Sequence, residues 1–321
     1  MTTETKRAAD RPAEGGAEPH PTILETSGVT LRFGGLTSLD HVDLAMRRGE
    51  ILAIIGPNGA GKTSLFNSLT GAYLPQEGAI TYRPRAGGEE ELRGRKPFRV
   101  SRLGLARTFQ NIRLFGALTA LENVKIAVET RQRTDAVSIM LGLPHARRAE
   151  RDSDRRAHEV MRFVGLEHRI NELAASLSYG EQRRLEIARA LATEPELLLL
   201  DEPAAGTNPT EKHDLEELIR RINTELGVSV LLIEHDMRLV MSVADRVAVL
   251  NFGRKIAEGT PGQVQRDPAV IEAYLGASDE EEAEAVADLV ADLDAEHADD
   301  PEWRGGDRAA EGRSNDGEER P

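Results

Sequence analysis

Gly56-Pro57-Asn58-Gly59-Ala60-Gly61-Lys62-Thr63 follows an apolar run, Ile51–Ile55, and precedes a segment whose apolar residues Leu65, Phe66 and Leu69 fall at helical spacing. The octapeptide fits G-x-x-x-x-G-K-[ST], and strand, glycine-rich loop and helix are the setting that this pattern requires. Glycines let the backbone wrap tightly and turn its N–H groups inward, and the helix N-terminus adds positive dipole character. Lys62 supplies a point charge toward the β- and γ-phosphates, and the Thr63 hydroxyl suits a Mg²⁺ ion, with Ser64 beside it. This predicts a nucleoside-triphosphate site in an α/β protein. By itself it does not separate a kinase, a GTPase, a helicase or a transport motor.

A second stretch, Leu197-Leu198-Leu199-Leu200-Asp201-Glu202, reads as a buried strand delivering two carboxylates to its C-terminal end. Asp201 there suits Mg²⁺, directly or through water, and Glu202 suits orienting or deprotonating the attacking water. Between loop and acids lies Leu177-Ser178-Tyr179-Gly180-Glu181-Gln182, leading into the helical run Arg183–Leu191. This segment resembles the signature of ATP-binding cassette (ABC) ATPases, usually Leu-Ser-Gly-Gly-Gln, with Tyr179 and Glu181 as departures. The resemblance spans residues 23–276. It implies a P-loop NTPase of the cassette type: a RecA-like core plus an antiparallel β subdomain, with an α-helical subdomain inserted at about 111–178.

The resemblance also implies roles for further residues. Gln110, in Arg107-Thr108-Phe109-Gln110-Asn111, matches the glutamine that reaches Mg²⁺ or water and couples to a membrane partner; read alone it is a polar loop residue. His235 matches the switch histidine that meets the γ-phosphate, although a histidine after a strand is usually structural. Phe33 matches the aromatic that stacks on adenine, with a core phenylalanine as the other reading. Cassettes pair head-to-tail, so Ser178, Gly180 and Glu181 of one subunit are expected to face the nucleotide held by Gly56–Ser64 of the other. The partner is a second copy or a related subunit. In the loop Pro203–Pro209, Thr207 stands where leucine is usual.

Several stretches resemble the ATP-binding subunit of branched-chain amino acid importers: Arg32–Leu36, Arg107–Phe115, Tyr179–Arg189, Ile233–Met237 and Ala273–Gly276. That branch implies polytopic membrane permeases as partners and, through them, a substrate-binding protein. ATPases of urea and amide importers are similar. Lipopolysaccharide or lipid exporters and non-transport cassettes are further readings of the same motifs.

Composition bounds the rest. Of 321 residues, 41 are basic and 55 acidic, giving a net charge of −14. Residues 277–321 carry 17 of those acids against four arginines, so the acidity belongs to the tail. Neither the acidic tail nor the near-neutral body suits non-specific nucleic-acid binding. With no cysteine, disulfides, thiolate metal sites and a cysteine nucleophile are excluded. No apolar run approaches the roughly 20 residues that span a bilayer, and residues 1–21 contain no apolar stretch of a secretory signal. The expectation is a cytoplasmic protein, peripheral on the inner face of the membrane. Residues 1–21 and 277–321 read as disordered tails. Val286, Leu289, Val290 and Leu293 form a helical stripe in the second, open to a docking role.

Overall fold

The computed structural model describes residues 21–130 and 144–275. Residues 1–20 and 276–321, including the stripe at Val286–Leu293, therefore lie outside the described residues. Two sheets organise the chain. Strands β1 (Thr22–Phe33), β2 (Leu36–Arg47), β4 (Glu77–Tyr82) and β5 (Glu90–Glu91) form an antiparallel sheet in the order β2-β1-β4-β5. Strands β3 (Ile51–Ile55), β6 (Leu105–Arg107), β7 (Leu197–Asp201), β8 (Ser229–Ile233), β9 (Arg246–Asn251) and β10 (Arg254–Gly259) form the second, ordered β10-β9-β3-β8-β7-β6. All its pairings are parallel except that of β10 with β9.

The unbroken apolar runs of the second sheet follow from cover on both faces. Successive side chains point to opposite sides. Leu197, Leu199, Leu231 and Ile233 pack with Leu65, Phe66 and Leu69 of α1 (Lys62–Leu69) and with the antiparallel sheet. Their neighbours Leu198, Leu200, Val230 and Leu232 join a separate core. That core holds α3 (Ala120–Glu129), α4 (Pro144–Phe163), α5 (Tyr179–Leu191) and α6 (Pro209–Leu226), through residues such as Val124, Met161, Leu185 and Ile219. A third cluster packs Ala53 and Ile55 against Met237 and Val240 of α7 (Met237–Val243), and against Val264 and Val270 of the closing helices α8 (Pro261–Gln265) and α9 (Pro268–Leu275).

Local chemistry sets the helix starts. Thr119 with Glu122, Ser178 with Glu181, and Asn208 with Glu211 each form a reciprocal capping box, satisfying two otherwise orphaned N–H groups apiece. Pro209 occupies the first turn of α6, and Gly227 at φ 63° ends it. The hairpin β9–β10 turns through Phe252 and Gly253, both at positive φ.

Four elements lie outside the sequence expectation: the helices α2 (Pro97–Arg102) and α8, and the strands β5 and β6. Each is too short for a period to show. β6 becomes a strand because Leu105, Ala106 and Arg107 pair with Leu197, Leu198 and Leu199, more than 90 residues away.

Candidate active site

Four of the segments singled out by their chemistry leave the carboxyl end of a parallel strand, where α/β sites form. The phosphate loop follows Ile55, Gln110 follows β6, the acid pair ends β7 and His235 follows β8. Asp201 pairs in register with Ile233, and Ile54 with Ile233, so three of these strands end level.

The loop is shaped by its glycines. Gly56 has φ 141°, and a Cβ there would collide with the carbonyl of Leu250. Gly61 has φ 103°, and a Cβ would sit 2.6 Å from the carbonyl of Ser38. Only glycine suits both positions. The hairpin buttresses the loop, with Gly253 N–H donating to Ala60 O at 2.9 Å and Asp40 N–H to Gly253 O at 2.8 Å. Pro57 accepts from Ala60 N–H at 3.0 Å, while Asn58 and Gly59 are exposed. The Lys62 ammonium is buried over the loop and donates to the carbonyls of Gly56 and, at 3.0 Å, Pro57. Thr63 is exposed at the head of α1, and the Ser64 hydroxyl accepts from Ser38 Oγ at 2.7 Å.

The structure joins Gln110 and Glu202 directly: Gln110 Nε2 donates to Glu202 Oε2 at 2.7 Å. Glu202 has φ 46°, a left-handed conformation that costs a residue with a Cβ on the order of 1 kcal/mol. Its N–H, held by the Ile233 carbonyl at 2.9 Å, fixes that geometry. Asp201 is 3% exposed, and its Oδ2 accepts from Arg107 Nη2 at 2.7 Å. Arg107 also reaches Asn67 Oδ1 at 2.6 Å, tying the acid to the end of α1.

Behind His235 lies Glu234, fully buried. Its Oε1 accepts Ala204 N–H at 2.7 Å and its Oε2 accepts His235 N–H at 3.2 Å. Burial pushes its carboxyl up to about 7, against the amides of Ala204 and Asp236 and the charge of the neighbouring His235, while the Asp236 carboxylate adds repulsion. His235 itself is exposed. Asp236 caps α7 and takes the Lys212 ammonium at 2.5 Å. Burial raises its pKa, but Lys212 and the capping amides leave it below the usual value. Phe33 is 45% exposed and meets Tyr73 edge-to-face at 5.1 Å, which removes the core reading there.

Ser178 and Glu181 are committed locally. Ser178 Oγ accepts Glu181 N–H at 3.3 Å, and the Glu181 carboxylate takes Ser178 N–H and Arg169 Nε, each at 2.9 Å. The Glu181 carboxylate thus caps the helix. A Cβ on Gly180 would lie 2.5 Å from Glu211 Oε1, so glycine permits the close approach of the starts of α5 and α6. Among the described residues, none from 178 to 180 bonds to the phosphate loop. Thr207 turns its hydroxyl inward to the Ala204 carbonyl at 2.7 Å. Sequence alone assigns no role to Arg107, Arg183, Glu186 or Glu234. The only signal it offers is the spacing of Arg183 and Glu186, three apart on a helix.

Strand order and loop placement define a P-loop nucleoside triphosphatase. The ABC transporter family profile matches residues 39–205, and the profile of the branched-chain amino acid ATP-binding cassette transporter matches residues 254–280. The chain belongs to the ABC transporter ATP-binding family. It is 46% identical over 254 residues to the high-affinity branched-chain amino acid transport ATP-binding protein LivG of Salmonella typhimurium, covering 79% of this chain and 98% of that one. Identity to the corresponding protein BraF of Pseudomonas aeruginosa is 47% over the same shares. Among solved structures, the ADP conformation of an ABC transporter cassette matches with TM-score 0.67 and 30% identity, over 80% of this chain and 99% of that one. A dimeric post-hydrolysis cassette bound to ADP and Pi matches with TM-score 0.62 and 25% identity, over 74% and 99%. The fold is therefore the cassette fold expected from the sequence, and ATP hydrolysis is its activity. Among the described residues no helix is long and apolar enough to cross a membrane.

Proposed function

We propose that this chain is the ATP-hydrolysing subunit of an importer of branched-chain amino acids, working as a dimer beneath separate polytopic permeases on the inner face of the membrane. A substrate-binding protein delivers the cargo to those permeases. The observation that carries the hydrolytic part is the Gln110–Glu202 contact at the carboxyl edge of the sheet that also carries the phosphate loop. The likeness to LivG and BraF, with the matching segment at 254–280, supports the cargo.

In this reading Gly56–Ser64 wrap the phosphates with backbone N–H groups, and the Lys62 ammonium exchanges its loop carbonyls for phosphate oxygens. Thr63, Asp201 and Gln110 offer hydroxyl, carboxylate and amide oxygens, a donor set that fits Mg²⁺. The ion, when bound, neutralises charge between the phosphates. Arg107 shares the Asp201 carboxylate and would keep one of its oxygens. Glu202 orients the attacking water and draws its proton, Gln110 holds Glu202 in place, and His235 meets the γ-phosphate from the next strand. Phe33 offers a face to the base.

The N-terminus of α5, with Ser178 and Gly180, then serves the partner's nucleotide, so each dimer has two composite sites. The test is uptake of labelled leucine in a strain lacking the gene, with urea and short amides as competitors. Restoration of leucine uptake by the wild-type chain, insensitive to urea and amides, is expected. Restoration of urea or amide uptake alone refutes the cargo.

A further inference from the structure

Arg183 and Glu186 of α5 form a buried ion pair, 1% and 5% exposed, with no part in the chemistry above. Arg183 Nη1 donates to the Phe109 carbonyl at 2.7 Å and to Glu186 Oε2 at 3.0 Å. Its Nη2 donates to the Gln110 carbonyl at 2.9 Å and to the Tyr179 hydroxyl at 3.2 Å. Glu186 Oε1 accepts the N–H groups of Phe109 and Arg113, both at 3.3 Å. The pair thus grips the backbone on both sides of Gln110.

Stability alone explains this poorly. A buried pair repays its desolvation only when every polar atom is satisfied, and Arg183 Nε is buried without a hydrogen-bond partner. Geometry explains it better. A planar guanidinium spanning two successive carbonyls fixes orientation as well as distance, and the side chain of the residue so held sits on Glu202.

We propose that Arg183 and Glu186 are positioning residues for hydrolysis: they fasten the backbone of Gln110 to α5, so that the Gln110 amide is placed on Glu202 only when α5 is in place. The proposal rests on the reading of Gln110 and Glu202 as site residues. Ser178 opens the same helix, five residues before Arg183. Engagement of that end by a partner's nucleotide therefore reaches Glu202 through little more than one helical turn and two hydrogen bonds.

The test is a double-mutant cycle on the full-length chain, reading kcat and KM for ATP in Arg183→Met, Gln110→Ala and the two combined. Arg183→Met is expected to lower kcat roughly tenfold, as misplacement of a catalytic group does, with KM within about twofold. In the Gln110→Ala background the further loss should be under about twofold, because the group being positioned is gone. Equal fold-losses in both backgrounds, or an unchanged kcat in Arg183→Met, overturns the proposal. Wild-type turnover of Gln110→Ala overturns the reading beneath it. Should Arg183→Met not fold, Arg183→Met/Glu186→Met removes both buried charges, and the same fall in kcat at unchanged binding of a fluorescent ATP analogue is expected; wild-type kcat in that variant overturns the proposal.

Discussion

At Glu202 the chain accepts a left-handed backbone in order to bring a carboxylate against Gln110. The expected consequence is that Glu202→Gln retains ATP binding and loses hydrolysis by roughly a hundredfold or more. Turnover near wild type in a steady-state assay would contradict the assignment. Glu234 yields a pH-dependent prediction. Its pKa is raised to about 7 from an ordinary 4.5, so the folded state favours the protonated form and loses stability as pH climbs from 4.5 through 7. The melting temperature of Glu234→Gln relative to wild type should therefore rise between pH 5 and pH 8.5; a constant difference would show Glu234 to be ionised throughout. Glu202, Asp201 and His235 are candidates from sequence alone because each follows an apolar run that reads as a strand, and the structure places all three at strand ends. Arg107 and Arg183 are not, since their partners, Asp201 and the backbone at Gln110, lie 94 and 73 residues away and only folding unites them.

Among the elements, α5 carries the sharpest prediction. Its first turn is a capping box with Ser178 at the cap and Gly180 pressed on Glu211. Ser178→Arg should leave nucleotide binding to the isolated chain intact and prevent ATP-driven pairing, measured by sizing in a Glu202→Gln background; pairing that survives would remove this helix from the interface. Loss of the cap hydroxyl costs about 1 kcal/mol, too little to unfold the chain. Helices with such caps, and strands with four or more apolar residues, were legible in advance. β6 and α2 were not, because a strand of three residues is defined by the neighbour it pairs with and a helix of six shows no period.

For the whole molecule, the proposed division of labour between two chains gives a complementation test. Lys62→Ala spoils the phosphate loop and Ser178→Arg spoils the helix start, in different halves of the composite site. A mixture of the two variants forms some dimers with one complete site and should hydrolyse ATP faster than either alone. A mixture no faster than the mean of its components would mean that loop and helix serve the same nucleotide within one chain. The resemblance read from the sequence ends at residue 276, and the branched-chain profile runs four residues further, to 280, into the start of the acidic stretch. The six-stranded sheet ends at β6, which pairs with β7 alone. A strand with a single neighbour can be tugged sideways without tearing the interior, so the margin of the sheet is where mechanical work from outside enters at least resistance. Gln110, just past that margin, is therefore the member of the proposed site that stands at the rim of the sheet, while Asp201, Glu202 and the phosphate loop leave strands with a neighbour on each side.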